Sequence, residues 1–257
     1  MQITSAQNSK LKLVKRLRSK RGREAEARFV IDSQRDLRRA LDCGYRVDFL
    51  LRCRELDELG DLGCEILEVS PQLLQKVSYR DNPDGMVAVL RSQLPKGRLW
   101  LEGAEIDSAL LLVGLHVPGN IGALLRSADA SGCDAALLVD CALDLYNPNI
   151  IRNSTGACFL DNIYQLNVGE ALEYLGSAGL EIVAADVAGS SLYDESFAAR
   201  TALVLGAEDR GLSGDWLANA HRRIRIPMAG RAADSLNVSV SGAILMFELQ
   251  RQRHHNR

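Results

Sequence analysis

The sequence predicts an α/β protein of two domains, a small N-terminal one and a larger C-terminal one built on a mostly parallel sheet. Three observations lead there. At 257 residues the chain exceeds an average domain of ~150 residues and falls short of three. Beyond residue 109 the apolar runs at 110–113, 135–139, 181–185 and 201–205 are short and unbroken, with room for a helix between successive runs; parallel strands covered on both faces have this pattern. Before residue 92, strand-like and helix-like segments alternate, which suggests a separate small sandwich.

Taken in order, residues 9–28 hold few apolar side chains, and Leu13, Val14 and Leu17 follow helical spacing. This predicts a helix with one narrow apolar stripe and basic flanks. Phe29, Val30 and Ile31 read as a strand, 36–41 as a helix, and 48–51 and 65–69 as two more strands. The Asp-Asn-Pro-Asp-Gly segment at 81–85 carries turn chemistry and 86–90 reads as a closing strand, so the first domain is 1–91. Residues 92–108 include Pro95 and Gly97 and lack periodicity, which makes them the linker. The second domain is 109–257, and it ends in a helix over 237–251 whose Val240, Ala243, Ile244 and Phe247 form the expected packing stripe.

The composition, 47% hydrophobic and 25% charged, excludes a disordered chain. No run approaches 18 uncharged apolar residues, and the first residues lack the apolar core of a signal peptide, so a soluble cytoplasmic protein with no membrane partner is expected. Six cysteines without a C-x-x-C pair and four histidines imply neither a disulfide framework nor a metal. The net charge of −2 hides an asymmetry. Residues 1–28 carry nine Lys/Arg against two Glu, a local +7, so the remainder carries −9. The arm formed by Lys10, Lys12, Lys15, Arg16, Arg18, Lys20, Arg21 and Arg23 suits a polyanionic partner; a solvated basic helix is the plainer alternative.

Ligands of open α/β sheets bind beyond the C-terminal strand ends, and four such segments stand out. The first, 116–126, follows a strand: Asn120 is an N-cap candidate, Ile121, Leu124, Leu125 and Ala128 supply a buried stripe, and Arg126 falls off it. A helix start beside an arginine suits a phosphate, although a plain capped helix with an exposed arginine is the more frequent reading of such a segment alone. The second, 205–211, reads Leu-Gly-Ala-Glu-Asp-Arg-Gly and matches neither a phosphate-cradling loop nor a dinucleotide fingerprint. Its Glu208 suits donors from an amine or hydroxyl, or it is a solvated acid in a turn. The third joins the apolar Ile226-Pro227-Met228 to Asp234-Ser235-Leu236-Asn237, a combination fit for a flat ligand with a few polar edges; Ser235 or Asn237 could equally cap the last helix. The fourth, 185–189, is expected to be a strand-end loop presenting the backbone of Ala185, Asp186 and Val187.

In this order and spacing, the first three segments resemble the signature motifs of the SpoU family of RNA 2′-O-ribose methyltransferases, of the SPOUT class. Asp144-Leu145-Tyr146-Asn147-Pro148, Arg152 and Ser154-Thr155-Gly156-Ala157 resemble the stretch between the first and second motifs, and residues 3–88 resemble the attached RNA substrate-binding domain. The resemblance implies a deep trefoil knot in the C-terminal domain, a homodimer, and S-adenosyl-L-methionine as cofactor, with no metal. It implies cofactor contacts at Leu205, Gly206, Gly211, Ile226, Met228, Ser235 and Leu236, with the 185–187 backbone nearby. Asn120 and Glu208 would organise the site, Arg126 and Asn237 would act close to the ribose with Ser235 beside them, and Arg152 would join the arm in contacting RNA. Three positions depart from the pattern: Val117 stands where Asp is common, the 226–236 stretch is one residue longer, and Asp32-Ser33 replaces Glu-Gly. Ribosomal RNA is the expected substrate, transfer RNA the second. A silent RNA-binding or assembly factor is the competing class, and an oxidoreductase is disfavoured by the missing glycine fingerprint.

Overall fold

The computed structural model describes residues 2–53, 62–81, 84–142, 144–232 and 234–255. They form two compact units, Met1–Leu94 with Asp144–Leu160, and Pro95–Leu143 with Asp161–Arg257. The first contains β1 (Gln2–Ile3), α1 (Ser9–Arg16), α2 (Lys20–Glu26), β2 (Arg28–Ile31), α3 (Gln34–Asp42), β3 (Val47–Arg52), β4 (Glu65–Val69), α4 (Pro71–Val77) and β5 (Met86–Arg91). Its mixed sheet has the order β1-β4-β3-β5-β2. Period-2 alternation sends Phe49 and Leu51, Leu67 and Val69, and Val87 and Val89 into one core with Leu11, Val14 and Leu17, as strand geometry requires.

The strands expected in this half are present, whereas β1 and α4 were not anticipated. A signal for α4 exists: Ser70 accepts from Leu73 N and Pro71 occupies the first turn, the usual start of a helix. The single helix expected over 9–28 is two. Ser19 caps α2 by accepting from Gly22 N at 3.1 Å, and a side chain at Gly22 would place its Cβ 2.0 Å from the Arg16 carbonyl oxygen, so the chain turns there. The buried stripe is Leu11, Val14 and Leu17, with Leu13 only half-buried. Asn82 and Pro83 of the expected turn lie outside the described residues.

The second unit contains β6 (Ser108–Val113), α5 (Pro118–Ala130), β7 (Ala135–Val139) and, beyond α6 (Pro148–Ser154) of the first unit, β8 (Ile163–Leu166), α7 (Val168–Ala178), β9 (Glu181–Ser191), β10 (Thr201–Leu205), α8 (Gly214–Asn219), β11 (Arg222–Arg225) and α9 (Val238–His255). The sheet runs β11-β9-β10-β6-β7-β8, and every pair in it is parallel. The four apolar runs are its four central strands. The unanticipated β8 and β11 are the edges, and β11, Arg-Arg-Ile-Arg, buries one side chain, the composition an edge tolerates.

Three expectations change. The linker 92–108 is not free-standing, because Leu101 and Ile106 are buried in the core of the second unit. The stretch Asp144–Leu160, expected within a continuous 109–257 domain, packs with the first unit. Phe29 stacks on Tyr146 with ring centroids 4.3 Å apart and lies 5.9 Å from Phe159, and Arg23 Nε donates to Asp144 Oδ2. Burial pushes the phenols of Tyr45 and Tyr146 above their ordinary value, so both stay neutral in this cluster. The third concerns α9: its buried side is Val238, Leu245, Met246 and Leu249, while Val240 and Phe247 are each 47% exposed. The helix is apolar on two faces, and periodicity alone picks the wrong one. Gly242 marks the packed face, since a Cβ there would lie 2.3 Å from Leu124 and 2.7 Å from Leu205.

Arg23 and Asp144 are 4% and 9% exposed, and Arg23 Nη1 also donates to the carbonyls of Leu17 and Arg18. Removing one member strands the other charge. Arg23→Ala is expected to lower stability by about 3 kcal/mol and the Arg23→Ala, Asp144→Ala double variant by less than the sum of the singles, measured by chemical denaturation.

Candidate active site

The site assembles at the C-terminal end of β10 and beside the middle of β9. Helix α5 begins at Pro118, and Val117 occupies the cap position without a side-chain bond to the first turn, where an Asp would supply one. Asn120 therefore does not cap the helix, contrary to the sequence expectation. It lies in the first turn and its amide points elsewhere.

After Leu205 the chain doubles back: Gly211 N donates to the Ala207 carbonyl at 2.8 Å, and Gly211 adopts φ +64°. A Cβ on Gly206 would fall 2.4 Å from the Gly211 carbonyl, so the turn closes only with glycine there. This folded loop projects Glu208. Asn237 precedes α9 and does cap it, its Oδ1 accepting from Ser239 N at 2.9 Å. Its Nδ2 donates to Glu208 Oε1 at 2.7 Å and to Asn120 Oδ1 at 3.2 Å. Glu208 Oε1 further accepts from Asn120 Nδ2 at 3.2 Å and Val238 N at 3.0 Å. One carboxylate oxygen thus joins three segments distant in sequence, at the positive end of a long helix.

Beside this junction lies a cleft of about 740 Å3, within the usual size range of small-molecule sites. Ala185, Asp186 and Val187 line it with Leu205, Gly206 and Gly211, and so do Ile226, Met228, Ser235 and Leu236. All ten residues expected at a cofactor site therefore share one cleft. Residues 185–189 are not a strand-end loop. They form an excursion within β9, where the β11 register jumps from Arg223↔Ala184 to Ile224↔Ser190. Gly189 permits it, because a Cβ there would lie 2.5 Å from the Arg223 carbonyl. Arg225 Nη1 donates to the Gly189 carbonyl at 2.6 Å and holds the bulge.

Sequence reasoning missed Leu217 and Leu245, which add apolar wall from α8 and α9, and Arg225 and Ser241. Their only one-dimensional signal is ordinary periodicity. Arg126 stands outside the hydrogen-bonded junction, exposed on α5, with no ion pair or hydrogen bond among the described residues. The arm divides. Lys12, Lys15 and Arg21 are exposed without such partners, and Arg152 is likewise exposed on α6. Lys10 pairs with Glu65, Arg16 with Glu26 and Lys20 with Glu24, while Arg18 donates to the Ser78 carbonyl. Arg23, expected among the RNA-contacting cations, is buried against Asp144 and has no surface to offer.

The thiols of Cys133 and Cys141 are pushed up to about 11 and that of Cys158 to about 12, by burial, and none of the three lines the cleft. A cysteine nucleophile is therefore not part of this site. Among the described residues no group of three or more His, Cys, Asp or Glu is placed to hold a metal, and no helix is long and apolar enough to cross a membrane.

Residues 107–247 match the SpoU rRNA Methylase family and residues 8–88 the MRM3-like substrate binding domain. The chain belongs to the SpoU rRNA methylase family. It is 29% identical to the 23S rRNA (guanosine(2553)-2′-O)-methyltransferase RlmP of Bacillus subtilis over 97% of this chain and 99% of that one. A solved RNA 2′-O ribose methyltransferase superposes with a TM-score of 0.83 at 36% identity, covering 99% of this chain and 100% of the other. An AdoMet-bound rRNA methyltransferase from Sinorhizobium meliloti superposes with a TM-score of 0.86 at 26% identity, covering 98% and 97%. Both units of the present chain are thus matched in proteins of this family.

The Gly206 turn gives a direct test of the loop. Gly206→Ala is expected to weaken binding of S-adenosylmethionine by roughly 5- to 150-fold, the factor that 1–3 kcal/mol of overpacking produces, with an unchanged far-ultraviolet circular dichroism spectrum; calorimetric titration measures it.

Proposed function

We propose that the protein transfers a methyl group from S-adenosylmethionine to a ribose 2′-hydroxyl of ribosomal RNA. The observation that carries this reading is the junction of Asn120, Glu208 and Asn237 at the rim of a cleft of cofactor size, in a chain whose relatives methylate 23S rRNA. The cleft suits the cofactor's chemistry. Leu205, Ile226, Met228 and Leu236 offer an apolar bed for a flat ring, and the Gly206–Gly211 turn exposes backbone groups that a larger side chain would cover. Ser235 contributes a hydroxyl with no partner among the described residues. When bound, S-adenosylmethionine supplies a sulfonium-activated methyl and a neutral thioether leaving group, so the reaction calls for no metal.

What the chain supplies is orientation. Glu208 fixes the start of α9 and the first turn of α5 relative to the β10 loop. Asn237, held by Glu208 and Asn120, sits where the ribose enters. Arg126, without a partner among the described residues, clamps the phosphate next to the target nucleotide and aligns the 2′-hydroxyl with the methyl, and alignment of this kind lowers a barrier by several kcal/mol. A guanidinium holds its proton too tightly to serve as a general base, so Arg126 acts through position and charge. The MRM3-like unit with its exposed Lys12, Lys15 and Arg21 recognises the folded RNA. A homodimer built on the exposed Val240 and Phe247 face of α9, the trefoil knot of the family and a cytoplasmic location belong to the same proposal.

The test is transfer of labelled methyl from S-adenosylmethionine to deproteinised ribosomal RNA and to bulk transfer RNA. Label is expected in ribose of ribosomal RNA, with a loss of at least about 100-fold in Arg126→Ala, the scale on which losing one positioning contact acts. Label in transfer RNA alone would move the substrate to that class. No transfer to either, with no cofactor binding, would leave a silent RNA-binding factor.

A further inference from the structure

We propose that a second cleft, within the first unit, receives an internucleotide phosphate of the substrate RNA; this rests on the ribosomal-RNA reading and names where that unit grips its ligand. The cleft holds about 240 Å3, below the 300–1,000 Å3 typical of drug-sized ligands and suited to one phosphodiester rather than a whole cofactor. Its walls come from Arg18 after α1, Asp32 after β2, Tyr79 and Arg80 after α4, and Asn149 and Arg152 on α6.

The charges decide what it takes. Arg80 lies 3.4 Å from Asp32 and 3.5 Å from Asp36, and Arg35 lies 3.0 Å from Asp36. Asp32 Oδ2 also accepts from Ser78 Oγ and from the backbone of Tyr79 and Arg80. Two carboxylates are therefore matched by two guanidiniums and occupied by donors. Arg18 and Arg152 remain as the uncompensated charge. Arg18 is fixed without being neutralised: its Nη2 donates to the Ser78 carbonyl at 2.6 Å, and the guanidinium lies over the Tyr79 ring, 5.5 Å from its centroid. Arg152 and the Asn149 side-chain amide have no hydrogen bond or ion pair among the described residues. One held arginine, one free arginine and one free amide facing a small cavity form a receptor for a tetrahedral anion, which guanidinium forks bind through paired hydrogen bonds. The source of that anion is RNA, because the same unit presents Lys12, Lys15 and Arg21 as further exposed cations without a side-chain partner among the described residues, which a single small anion would not engage.

The experiment titrates the full chain with deproteinised ribosomal RNA over a series of salt concentrations. Arg18→Gln and Arg152→Gln are each expected to weaken binding and to reduce the slope of log affinity against log salt by about 1, the loss of one phosphate contact. Arg152→Lys, which keeps the charge, is expected to retain the slope. Thermal unfolding and cofactor titration on the same preparations report whether each variant is folded. Wild-type slopes in both glutamine variants would overturn the proposal. So would inorganic phosphate that binds calorimetrically in an Arg152-dependent way without displacing RNA, since the cleft would then serve a free anion. Methyl transfer by the wild type is read separately, so an active enzyme whose glutamine variants keep the wild-type slope sinks the phosphate cleft alone.

Discussion

The second unit turns on a single carboxylate oxygen. Glu208 Oε1 accepts from Asn120 Nδ2, Asn237 Nδ2 and Val238 N, so three segments separated by as many as 117 residues meet at one atom. Each donor has its own local reason to be there. Asn120 is carried by the first turn of a helix that starts at Pro118. Asn237 and Val238 are the start of α9, and Glu208 is projected by a turn that only glycine at 206 allows. The cleft adjoins the junction, because the loop after β10 and the start of α9 form its wall together with the β9 excursion.

The first unit shows charge being divided between architecture and ligand. Its local excess of cations is legible in the sequence, but a count of lysines and arginines does not say which remain available. Arg23 is spent on Asp144, and Arg80 and Arg35 on Asp32 and Asp36. The exposed remainder is what a polyanion meets. Exposed ion pairs such as Lys20–Glu24 contribute little to stability, and a phosphate can compete for their cations.

Much of this was legible in one dimension. The four central strands of the parallel sheet announce themselves because both faces are buried, and Ile121, Leu124, Leu125 and Ala128 are the buried stripe of α5. The failures share a cause. The edge strand β11 carries three arginines, Asp144–Leu160 obeys partners more than 50 residues away, and α9 is apolar on both sides, so local pattern contains no information about which neighbour wins. Asn120 looked like a cap because its best local partner would be its own helix. The structure gives it a distant carboxylate instead. Its meeting with the other two segments was readable only from the order and spacing of three motifs, since each alone has an ordinary explanation.

The shape of the cleft depends on the junction acting as a unit. Calorimetric titration of S-adenosylmethionine into the wild type, Asn120→Ala, Glu208→Ala and the double variant measures this directly. A coupling of about 0.5–3 kcal/mol is expected, with the double variant binding about as weakly as Glu208→Ala alone. Strictly additive losses, or an undiminished affinity in Glu208→Ala, would contradict it.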